Sequence, residues 1–167
     1  MRNVSRGIAR GAVFLALALL AQSLRLLVPL PPLAGMFVIG SLVNAVLLLT
    51  AVYCGRVTAV AVGVMLPFAA FLQGQLPAPV FIPGVAAGNA VFACFGQLFW
   101  RRGALYFAPF LKAGVLYIGA WAVLRAVELQ PGAAKAVSVL MSWPQIVTAL
   151  CGILLARALA ERVRFKA

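Results

Sequence analysis

VTAVAVGVMLPFAAFLQGQLPAPVFIPGVAAGNAVFACFGQLFW, residues 57–100, contains no charged side chain. A membrane-crossing helix needs about 20 mostly apolar residues, so this stretch is long enough for two. Pro77, Pro79 and Pro83 punctuate its middle and divide it there. The same breaks at Pro/Gly clusters and charges, applied outward, give six apolar segments: residues 9–28, 37–53, 57–72, 81–100, 105–127 and 133–156. The expected fold is an all-α integral membrane protein, one domain of six transmembrane helices spanning residues 1–167.

Composition supports this and removes several chemistries. Of 167 residues, 65% are apolar and 10% charged, with no His, and the mean hydropathy of +1.11 lies far above that of water-soluble domains. The only acids are Glu128 and Glu161, and there is no Asp. A His-bound metal, a Ser-His dyad, an aspartyl pair and paired catalytic carboxylates are therefore excluded, and the expectation is a non-enzyme with no metal and no cofactor. Cys54, Cys94 and Cys151 are isolated in apolar sequence and read as buried small hydrophobes.

The net charge of +12 does not read as a nucleic-acid patch, because the basic residues lie between apolar runs. It reads as topology. With both termini cytoplasmic, Arg2, Arg6, Arg10, Arg56, Arg101, Arg102, Lys112, Arg157, Arg162, Arg164 and Lys166 fall on the inner side, and only Arg25, Arg125 and Lys135 on the outer. The expected location is a cytoplasmic membrane, crossed several times. Residues 9–28 follow Arg2, Arg6 and Arg10 as a signal peptide would, but the run continues through Val28 and the small-residue Ala16-Leu17-Ala18 lies inside it, so a first span is preferred.

The three outer connections carry the polarity: Pro29 to Gly35, Gln73-Gly74-Gln75-Leu76-Pro77-Ala78-Pro79, and Glu128 to Gly132. Their prolines end helices, and they also make stiff connections able to cap a cavity. Within the spans, Asn44 and Asn89 fall seven and eight residues past their segments' starts, placing both about 10–12 Å deep at 1.5 Å per residue. Two roles are open for them: holding helices together, or orienting a polar ligand in a shared outward cavity. Tyr117, Trp121, Arg125 and Glu128 fall on one helical face, which reads either as an interfacial aromatic belt or as an aromatic wall with a cation. Ser138, Ser142 and Gln145 form a further stripe beside a kink at Trp143-Pro144, and Arg25 sits beside Gln22 at the outer end of the first span. The candidate small-molecule site is therefore Arg25, Asn44, Gln75, Asn89, Tyr117, Trp121, Arg125 and Gln145.

At the inner end, residues 7–16 place small residues four apart in two registers, a spacing that lets helices approach closely in lipid. No carboxylate falls at membrane depth and no GxxxxGK[ST] loop is present, so the chain carries no machinery of its own for energising transport.

The chain resembles the substrate-binding S components of energy-coupling factor (ECF) vitamin importers. The resemblance covers the whole length as architecture and is carried by residues 17–32 with Gln22-Ser23-Leu24-Arg25, by Gly40 to Asn44, and by Phe81-Ile82-Pro83 through Gly88-Asn89-Ala90. It implies a substrate, such as a vitamin or similar micronutrient, bound near the outer surface in a prokaryotic membrane. It also implies partnership with a T component and two ATPase subunits, the former docking at Ala12 and Ala16. The three outer basic residues lean toward an anionic or zwitterionic, ring-containing ligand. A noncatalytic membrane scaffold is the alternative reading.

Overall fold

Proline and glycine divide the chain where the sequence places them. The computed structural model describes residues 2–28, 31–128 and 130–162. Seven α-helices follow one another: α1 (Arg2–Leu27), α2 (Pro32–Cys54), α3 (Arg56–Leu72), α4 (Ile82–Leu98), α5 (Ala108–Ala126), α6 (Pro131–Leu140) and α7 (Trp143–Arg162). A 3₁₀ turn leads into α4 at Pro79–Phe81 and another into α5 at Gly103–Phe107. There is no strand among the described residues. Prolines open α2, α4, α5 and α6, where the missing N–H has no helical partner to lose. Gly55, at φ +90°, lets α2 end and α3 begin without a linker, a backbone state that an L side chain rarely adopts.

Five stretches are long and apolar enough to cross a membrane: Gly7–Leu27, Leu33–Cys54, Pro79–Leu98, Gly103–Ala126 and Pro131–Arg162. The 17-residue α3 is a sixth, shorter apolar helix. Large apolar side chains cover the outside of the bundle, among them Leu20, Val57, Leu72, Phe107 and Ile118. In water such a surface would drive aggregation; against lipid it is the expected exterior. The architecture is that of a multi-pass membrane bundle.

The sixth segment, read as residues 133–156, lies within the single apolar stretch Pro131–Arg162, but its kink is a full break: α6 and α7 are separate helices parted at Met141–Ser142. Pro144, the second residue of α7, lacks the N–H that would tie α7 back to Leu140, and the Gln145 amide takes that carbonyl instead (Nε2 to O, 2.9 Å). The cysteines also depart from expectation: Cys54 and Cys94 are half-buried and Cys151 is exposed. Lipid is as apolar as a protein core, so a thiol facing outward from α7 loses nothing there.

At the centre lies α2, packed against α7, α1, α3 and α4, while α3 pairs with α4 and α4 with α5. The α2–α7 contact is close because Gly152 faces Asn44: a Cβ at Gly152 would stand 2.6 Å from Asn44 Cβ and 3.1 Å from the Ser41 carbonyl. One core cluster, including Leu47, Leu48, Phe92, Leu105 and Ile153, fills one end of the bundle. A smaller one, including Leu76, Phe81, Leu116, Val137 and Met141, gathers beneath the 73–81 connection. The cavity lies between them.

Candidate ligand-binding site

Three polar residues on three helices form the floor of this cavity or stand just behind it. Lys112, one turn into α5, is 4% exposed, and its Nζ donates to Asn44 Oδ1 at 2.6 Å. Asn44 Nδ2 donates in turn to Thr148 Oγ1 on α7 at 3.3 Å, and the Thr148 hydroxyl is 3.2 Å from the Gln145 carbonyl. The Phe92 ring centroid lies 5.4 Å from Lys112 Nζ, within range of a cation–π contact. The amide is thus pinned from both ends, its carbonyl aimed at the ammonium and its NH₂ at a hydroxyl.

Asn44 sits near the middle of α2. Because α2 begins at Pro32, Asn44 lies twelve residues along a 23-residue helix, about 18 Å at 1.5 Å per residue and near its middle. Lys112 is therefore held in the middle of the bundle against a neutral amide. The only acids of the chain, Glu128 and Glu161, are exposed beyond α5 and near the end of α7. A cation buried at membrane depth is expensive unless an opposite charge reaches it.

Asn89 has a different task. Its Nδ2 donates to the Gly63 carbonyl at 3.0 Å. That carbonyl is four residues before Pro67, inside α3, and proline has no N–H to bond it. Asn89 replaces the missing helical donor, and the two predicted amides do not bond each other.

The cavity has a volume of about 190 Å³, below the roughly 300–1,000 Å³ usual for ligand pockets, and so suits a compact molecule. It runs from Arg25, Gln75 and Gln145 at the rim to Asn44, Asn89 and Lys112, between walls that include Ile39, Val43, Leu66 and Leu116. The rim is tied together: Gln73 Nε2 donates to Ser23 Oγ (3.0 Å), and Gln75 Nε2 to the Gln22 carbonyl (3.2 Å) and to Gln73 Oε1 (2.7 Å). Gly74, at φ +68°, makes the tight turn between these two glutamines. Gln22 is itself buried, donating to the Leu66 carbonyl at 3.3 Å.

Five of the eight residues singled out from the sequence thus line one cavity: Arg25, Asn44, Gln75, Asn89 and Gln145. Tyr117, Trp121 and Arg125 do not. They are exposed on the outer face of α5, and Arg125 stacks on the Trp121 ring at 4.7 Å instead of pairing with Glu128. This is the aromatic-belt arrangement. Pro29, Leu30 and Leu129, within two of the outer connections, lie outside the described residues. Ala12 and Ala16 are both exposed along one side of α1, whereas Gly11, in the other small-residue register, packs on Thr58 of α3.

Lys112 is the residue that sequence reading misplaced, by counting it with the inner-loop cations. It belongs to the interior of α5. The signal was present, because the segment read as 105–127 already encloses it, and a lone ionisable residue inside a span is a functional candidate by default. Thr148 was passed over because a single hydroxyl in an apolar helix has no distinguishing pattern.

Fold and site together define an all-helical bundle of membrane-spanning type with a cation-bearing cavity open toward one end. No family model, curated protein or solved structure matches the chain.

Proposed function

We propose that this chain is the substrate-capture subunit of an ECF-type importer. In this reading it lies in a prokaryotic cytoplasmic membrane with both termini inside, and binds a small micronutrient in the cavity that all seven helices line. The observation that carries the reading is the Lys112–Asn44–Thr148 chain at the cavity floor. A membrane scaffold has no use for a buried cation facing an internal space, whereas a capture site gains binding energy by completing its charge pairing. The sequence holds no phosphate-binding loop, and its two carboxylates, Glu128 beyond α5 and Glu161 at the exposed end of α7, are not placed to couple an ion gradient, so transport requires energised partners: a T component and two ATPase subunits. The exposed Ala12–Ala16 side of α1 is the surface offered to them.

The test is affinity purification of the tagged chain from its own membranes in mild detergent. Co-purification of a T component and ATPase subunits is expected. Recovery with cell-shape or assembly proteins and no ATPase would favour the scaffold.

A further inference from the structure

The cavity contains one feature that capture alone does not require: a single buried lysine with no carboxylate partner among the described residues. We propose that the ligand is a compact monocarboxylate whose carboxylate docks on Lys112 at the cavity floor, its apolar body lying against Ile39, Val43 and Leu116. This rests on the capture reading and narrows it to a chemical class.

Charge balance comes first. Glu128 and Glu161 are the only carboxylate side chains, both are exposed, and neither lies in the cavity. Asn44 contributes a dipole, not a charge, and the Phe92 face contributes a quadrupole. Neither offsets the desolvation of an ammonium as a carboxylate does. An incoming anion would do so, and an ammonium has three donors, of which Asn44 engages one.

The count of charges then sets the valence. Among the described residues Lys112 is the only buried basic side chain at the cavity, because Arg25 at the rim is exposed and screened by water. One ammonium against a neutral amide balances one negative charge. A phosphate dianion would bring a second charge to a depth where nothing meets it. The walls fix the rest of the ligand, since above the floor they are mainly aliphatic and accept a hydrocarbon or ring body.

The experiment uses the full chain in mild detergent, washed free of small molecules and incubated with the size-filtered metabolite fraction of bacterial cells. Native mass spectrometry reads what is retained, and the released compound is weighed before and after methyl esterification, which adds one methyl per carboxyl group. The expected compound takes up one methyl. Its retention falls by about tenfold or more in Lys112→Met. It falls similarly in Asn44→Asp, where an internal carboxylate meets Nζ and displaces the ligand's, while thermal unfolding of that variant occurs at the same temperature or higher. A captured compound without a carboxyl group, one bearing phosphate, or one retained equally by both variants would overturn the carboxylate assignment and leave capture standing. A wild-type protein that retains nothing from the extract would overturn capture itself.

Discussion

Lys112 Nζ and Asn44 Oδ1 meet at 2.6 Å, joining α5 to α2, and both residues are almost wholly buried. Through Asn44 Nδ2 the link continues to Thr148, so one amide ties three helices around a charge. Such a unit is stable only as a whole: removing one member strands the others in a medium of low dielectric.

The first prediction follows from that coupling. Asn44→Leu leaves the ammonium without its acceptor and is expected to destabilise the ligand-free protein by about 2–4 kcal/mol. In a Lys112→Met background the same change is expected to cost under about 1 kcal/mol, since no charge remains to be stranded. Unfolding in detergent of the two single variants and the double variant measures the coupling, and additive costs would show that the contact carries none.

The Asn89–Gly63 bond makes a second, independent cycle. Asn89→Leu is expected to cost about 1–3 kcal/mol, because the Gly63 carbonyl then has no donor. With Pro67→Ala the restored N–H at residue 67 takes that carbonyl, and the cost of Asn89→Leu should shrink markedly. The same unfolding assay reads both backgrounds.

On the outer face of α5, Trp121→Ala and Arg125→Ala are expected to leave retention of a cavity ligand within about twofold of wild type, as both side chains point away from the cavity. Loss of retention in either variant, measured by native mass spectrometry, would extend the site to that surface.

Close packing of α7 on α2 predicts sensitivity at Gly152. Its Cβ would meet Asn44 and backbone atoms of Ser41 and Ala45, none of which can swing aside. Gly152→Ala is expected to destabilise by about 1–3 kcal/mol and, by pushing Asn44, to weaken ligand retention as well.

Ala12 and Ala16 face outward, so Ala12→Trp combined with Ala16→Trp should fold and retain ligand normally while losing co-purification with partner subunits. A complex that still assembles with both tryptophans present would remove α1 from the docking surface.

The apolar segments and the kink at Trp143-Pro144 are legible in this sequence because lipid demands long apolar runs and proline ends them, but the full break that divides the sixth segment into α6 and α7, making seven helices, is not. Asn44 and Asn89 are legible as buried polar groups for the same reason, but their partners are not. Asn44 bonds Thr148 across 104 positions and Lys112 across 68, contacts set by helix packing that no local pattern records. The α5 stripe illustrates the opposite failure. Tyr117, Trp121 and Arg125 share a face by their spacing, yet periodicity says nothing about whether that face meets the cavity or the lipid.

Native mass spectrometry of the chain released gently from its own membranes, beside an Ala70→Trp variant that fills the cavity from α3, tests capture most directly. A single small-molecule adduct on the wild-type chain, missing from the variant, is the expected result. An adduct equally present on both would place the bound molecule elsewhere and contradict the cavity as the capture site.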